Sequence, residues 1–145
     1  MQTSFQRGIA ALAAGTAFIL LGDWLTGGHI ETFRGIATFT FPWMLDIFLV
    51  PFVSGLIVAR IYRTRGGKYL ACLPPLLVRG ITYSYMYLFT YQDGKDFFFH
   101  LNLYYWGPCV ILVVEAANFG AILGEVMAGA YRQQQQTEPS CPADA

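Results

Sequence analysis

Residues 39–59 read FTFPWMLDIFLVPFVSGLIVA, twenty-one positions with one ionisable residue, Asp46. At a rise of about 1.5 Å per residue, such a stretch reaches across the hydrocarbon core of a bilayer, a crossing that takes about 20 apolar residues. The rest of the chain has the same character. Of its 145 residues, 55% are apolar, 17% aromatic and 12% charged, the last about half the ~25% typical of a soluble domain. A soluble domain this small leaves too much surface exposed to hide that much apolar area. The formal net charge is zero, so there is no basic stripe to neutralise phosphates, and nucleic acid is not an expected partner. The three cysteines, Cys72, Cys109 and Cys141, are an odd number without a CxxC pair. Neither a disulfide framework nor a zinc site follows from them.

Three further segments match residues 39–59 in length and apolarity: 8–25, which is Ala-rich, 70–91 and 108–131. Pro108 suits the first turn of the last of these. The aromatic run at 97–106 before it is too short to span and fits an interfacial belt. The first segment follows a short N-terminus with one Arg, as a signal peptide would, but has no clear small-x-small cleavage site before a polar region, which favours a retained helix. The expected architecture is therefore an all-α, integral membrane four-helix bundle occupying residues 1–132. Threaded this way, Arg7, Arg60, Arg63, Arg65, Lys68 and Arg132 fall on one side and only Arg34 and Lys95 on the other. Positively charged loops stay in the cytoplasm, so both termini are expected there, in a bacterial inner membrane. The polar, proline-bearing residues 133–145 are expected to be a disordered cytoplasmic tail.

Three ionisable residues interrupt the later segments: Asp46, Arg79 and Glu115. A central charge costs about 3 kcal/mol on insertion scales, against a gain of ~0.3–0.6 for each Leu, Ile, Phe or Val. Residues 39–59 absorb Asp46 easily. The 70–91 segment, with Pro74 and Pro75 and fewer large apolar residues, is left marginal by Arg79 and needs an acidic neighbour. Counted from the outer ends, Asp46 and Glu115 lie about 10 Å deep and Arg79 about 18 Å, within the reach of an outward-stretched arginine. The depths predict a charge cluster of Asp46, Arg79 and Glu115 in the outer half of the membrane. Two acids on one arginine leave a negative excess unless a proton or another cation is held. Asp23 sits at the outer rim of the first helix.

The last segment is two-faced. At 100° per residue Glu115, Asn118 and Glu125 share an arc of roughly 80°. Ala116, Gly120, Gly124 and Ala128 form a small-residue stripe nearly opposite, of the kind that lets membrane helices approach closely. That helix is expected to be central, or to turn the stripe toward another subunit. Tyr83, Tyr87 and Tyr91 follow Arg79 at intervals of four and lead outward, as packing residues with interfacial tips or as the lining of a wet path. Pro51 and Pro74–Pro75 flank the charged positions, where prolines kink helices and free carbonyls.

Asp96 and His100 have the spacing of a helical metal pair with Asp93 one turn earlier, but Gly94 and the loop setting argue against a site, and no metal is expected. His29 and His100 lie in loops rather than inside helices, where haem ligands of helical bundles sit, so no cofactor is expected either. No Ser or Cys has a plausible base beside it, which makes an enzyme the weakest class. Two functions fit. One is an accessory or structural subunit of a larger membrane complex, held together by the charge cluster. The other is an oligomeric small-solute or ion transporter or channel using the same charged layer, with Glu115, Asn118, Glu125 and the tyrosines as its polar route. The expected partners are the lipid bilayer and either other membrane subunits or further copies of the chain.

Overall fold

The computed structural model describes residues 2–27, 35–63, 66–85 and 97–129, and the side chains of all of these but 2–4, 35, 83 and 97–104. Every element among them is helical: α1 (Gln2–Thr26), a 3-10 turn (Gly35–Thr38), α2 (Phe41–Met44), a π turn (Leu45–Leu49), α3 (Val50–Tyr62), α4 (Gly67–Ala71), α5 (Leu73–Tyr85) and α6 (Phe97–Met127). Helix α2, the π turn and α3 follow one another without a break. Three stretches, Phe5–Thr26, Phe41–Tyr62 and Tyr105–Met127, are long and apolar enough to cross a membrane, as in an integral membrane protein. The 70–91 segment takes a different form. It is divided at Cys72 into α4 and α5, because Pro74 and Pro75 lack the N–H groups that would continue the ladder and fit only the first turn of a new helix. Its residues 86–91 lie outside the described residues, as do the loops around His29 and Asp93 and the tail at 133–145.

Helix α6 also departs from its expected start at Pro108. It begins at Phe97 and carries Pro108 inside it. An interior proline gives up one ladder hydrogen bond and crowds the carbonyl one turn back; its further clash with the Cβ of the residue before it is absent here, because that residue is Gly107. At the other elements the local signals are ordinary. Thr40 caps α2, its side chain accepting a bond from the Trp43 N–H at 3.4 Å, with Pro42 in the first turn.

Helix α3 is the central element, packed on α6 along one side and on α1 along the other. The α3–α6 contact is backbone against backbone. A methyl group placed on Gly55 would strike the Ala117 carbonyl, one on Gly120 the Phe52 carbonyl, and one on Gly124 the Ala59 side chain at 2.8 Å. The stripe on α6 is therefore spent inside the chain: Ala116, Gly120 and Gly124 are buried, and only Ala128 is exposed. The α1–α3 contact is made with side chains. Val58 and Val50 fill the space over Gly15 and Gly22, and the Ser54 hydroxyl donates to the Gly15 carbonyl at 3.1 Å. A Cβ on Gly8 would meet Tyr62, and Arg60 reaches the Met127 sulfur at 3.7 Å. The start of α1, the end of α3 and the end of α6 thus lie together at one end of the bundle.

Candidate functional site: a buried arginine between two aspartates

Toward the opposite end lies the buried ion-pair group. Asp46 lies in the π turn, where the Val50 N–H bonds the Leu45 carbonyl, one residue further back than in an α-helix. The wide turn comes just before Pro51, which has no N–H to give to the residue one turn back. It also serves alignment. The buried residues of α2–α3 come in pairs four apart: Asp46–Ile47, Val50–Pro51, Ser54–Gly55 and Val58–Ala59. On a 3.6-residue helix that spacing drifts by about 40° per step, and a wider turn absorbs part of the drift, keeping Asp46 pointed inward.

Arg79, on α5, is 2% exposed, and its guanidinium faces both α1 and the π turn. Nη1 and Nη2 grip the Asp23 carboxylate at 3.3 and 3.0 Å, a two-pronged contact. Nη2 also donates to Asp46 Oδ2 at 2.6 Å. One nitrogen thus bridges two carboxyl groups and ties three helical elements at one level. Charge-assisted bonds of this length are the strong ones. The Asp46 side chain is 3% exposed and that of Asp23 15%. Among the described residues, Asp46 Oδ1 and Arg79 Nε are buried without a hydrogen-bond partner. Two carboxylates on one guanidinium leave one formal negative charge in excess, in surroundings where an isolated ion is costly. A proton shared within the group removes that excess.

The structure brings Asp46 and Arg79 together and puts Asp23 where Glu115 was expected. Glu115 is exposed on the outer surface of α6. The small-residue stripe explains why. Gly120 and Gly124 must face α3 for the backbones to touch, and at 100° per residue Glu115 then lies about half a turn away. Asp23 was visible in the sequence only as a rim residue; its useful signal is its position next to Gly22, on the line Ala11, Gly15, Ile19 and Gly22 that α1 buries.

The other two residues of the expected polar face of α6 hold the two ends of α4. Glu125 is 4% exposed, and its Oε1 accepts from the Lys68 backbone N–H at 3.2 Å, closing the first turn of α4 with a side chain from a different helix. The same oxygen would lie 3.1 Å from a Cβ on Gly67, while Gly66 before it has φ +99°. The two glycines at 66–67 thus answer separate needs, a left-handed turn and a close approach. Asn118 Oδ1 accepts from the Cys72 thiol at 3.0 Å, at the break between α4 and α5. The side chain of Tyr83, together with Tyr87 and Tyr91, lies outside the described residues. Among the described residues no group of three or more His, Cys, Asp or Glu is placed to hold a metal ion. No protein-family model, curated protein or solved structure matches the chain.

Proposed function

We propose that the chain is a four-span membrane protein acting as an accessory or structural subunit of a larger membrane complex. The proposed fourth span is the 70–91 segment, of which α4 and α5 are described up to Tyr85. Arg7, Arg60, Arg63 and Lys68 belong to the segments that meet at one end of the bundle, which supports a cytoplasmic placing of that end and of both termini. A bacterial inner membrane is the setting this topology fits.

One observation carries the subunit role: each polar side chain of the interior named above is engaged by another part of the bundle, although Asp46 Oδ1 and Arg79 Nε have no partner of their own among the described residues. Arg79 is engaged by Asp23 and Asp46, Glu125 by the Lys68 N–H, Asn118 by Cys72 and Ser54 by Gly15. The polar route that a conducting protein would need through Glu115, Asn118 and Glu125 is divided between an outer surface and two latches. Buried ion pairs add little net stability, so the Asp23–Arg79–Asp46 group is best understood as a lock on helix register. The test is gentle purification from the native membrane. A stoichiometric complex is expected, and recovery of the chain alone or only as a homo-oligomer overturns the proposal.

A transporter keeps one specific observation in its favour, the unpartnered and buried Asp46 Oδ1 beside an excess acid. Reconstituted into vesicles, the protein should then show a cation or proton flux that Asp46→Asn abolishes. Absence of flux, or flux unchanged by that substitution, removes this alternative.

A further inference from the structure

We propose that the α6 face centred on Glu115 seats a transmembrane helix of a different protein, one that presents an arginine or lysine at mid-depth. The inference rests on the subunit proposal above and names the surface and the partner's chemistry. Glu115 is ten residues from Tyr105 and twelve from Met127, the ends of the apolar stretch, so it lies at the middle of the span, about 15 Å from one end and 18 Å from the other. Around it on the same face are Ile111, Phe119, Ile122 and Val126, exposed by 62%, 65%, 41% and 56%. At 100° per residue these four bracket Glu115 on both sides within an arc of about 80°. Among the described residues Glu115 has no hydrogen bond or ion pair.

Lipid is a poor occupant for this face, since acyl chains offer a carboxylate neither a cation nor a donor, and ionisable residues in membrane spans face protein or water almost without exception. A second copy is also a poor one. It would set Glu115 against Glu115, and among the described residues it has no free cation to offer at that depth. Arg79 is 2% exposed and held by two aspartates. The other described basic residues, Arg7, Arg60, Arg63 and Lys68, lie in the end turns of their helices or in the connection between them. No described basic residue is free to supply the charge at that depth, so a partner chain is its proposed source. Burial of the pair between two helices is what makes it selective, because a wrong partner leaves Glu115 desolvated and alone.

The test uses the full-length chain in its own cells, with a photo-crosslinking residue at Ile111 or Phe119 and, as controls, at Leu20 on α1 and Ile81 on α5. Positions 111 and 119 should cross-link to one transmembrane segment bearing Arg or Lys, and the controls should not. Glu115→Lys should lower that product roughly tenfold or more, and changing the partner's basic residue to Glu should restore it. Glu115→Gln and Glu115→Leu should still accumulate as wild type does, because the side chain has no internal bond to lose. Self-cross-links, lipid adducts alone or a partner segment without a basic residue would overturn the proposal. If a stoichiometric complex survives Glu115→Leu undiminished, this face is not the interface but the subunit role stands. If no complex is recovered from wild type, both fall.

Discussion

Arg79 and Glu115 are both charges set into apolar helices, and the bundle treats them in opposite ways. Arg79 is buried and held by acids from two other elements; Glu115 is on the outer surface of α6 with no bond to the described chain. Azimuth separates them: Arg79 falls on the inward side of α5, whereas Glu115 falls opposite the stripe that α6 must give to α3. A charge in a membrane helix therefore carries two different meanings. Facing inward it fixes the fold, and facing outward it requires something else to be there.

The sharpest way to break this contrast is at Arg79. Its replacement by Leu strands two acids in the interior, and removing one partner of a buried ion pair costs about 3–5 kcal/mol. Accumulation in the membrane fraction, followed by immunoblot, should fall close to zero. Exchange is more informative than deletion. Arg79→Asp combined with Asp46→Arg should recover part of the protein, whereas Arg79→Glu combined with Glu115→Arg should recover none. Equal rescue by both pairs would mean that Glu115 faces inward after all.

A second contrast sets Gly120 against Gly80, both on helices and both glycine. A Cβ on Gly120 runs into the Phe52 carbonyl, while one on Gly80 meets nothing within 4 Å. Gly120→Ala must push α6 off α3, an overpacking that costs about 1–3 kcal/mol. Gly80→Ala should instead be neutral or stabilise the helix, by up to about 1 kcal/mol. Thermal unfolding of the purified protein in detergent reads both, and similar values for the two would contradict the backbone contact.

These contrasts also mark how far the sequence could be read. The apolar stretches around residues 8–25, 39–59 and 108–131 were legible because a bilayer asks only for length and apolarity, which are properties of a segment taken alone. The contact of Asp46 with Arg79 agrees with arithmetic along the helices, which put the two within reach of each other. The third acid was not legible in this way. To choose Asp23 over Glu115 requires the rotation of α6 about its axis, fixed by Gly120 and Gly124 meeting Phe52, Leu56 and Ala59 on another helix. The stripe itself was visible, and placing it inward would have turned Glu115 out. The roles of Glu125 and Asn118 were hidden further, since each serves a break at residues 66–72 that only the packed α4–α5 junction exposes. The early start of α6 was missed because Pro108 outweighed the relief that Gly107 gives it.

The α1–α3 side offers a milder probe than the α3–α6 side. Ser54→Ala removes a hydrogen bond to Gly15 but leaves the packing of Val50 and Val58 in place. Interhelical bonds of this kind average about 0.6 kcal/mol in membrane proteins, with a ceiling near ~1.7. A small drop in melting temperature is expected, well short of the Gly120→Ala effect. A loss as large as that would mean that α1 is held to α3 chiefly by this one bond.

The smallest effect belongs to Glu115, and its smallness is the point. In the isolated chain Glu115→Gln should change unfolding stability by no more than about 0.5 kcal/mol, as surface substitutions do. Asp46→Asn weakens the 2.6 Å bond to Arg79 and should cost more. If Glu115→Gln destabilises the purified monomer as strongly as Asp46→Asn, then Glu115 has an internal role and the division between inward and outward charges collapses. If it is silent in the monomer and in accumulation but lowers the recovery of the complex, Glu115 acts through contacts other than those among the described residues of this chain, as proposed for the exposed face of α6.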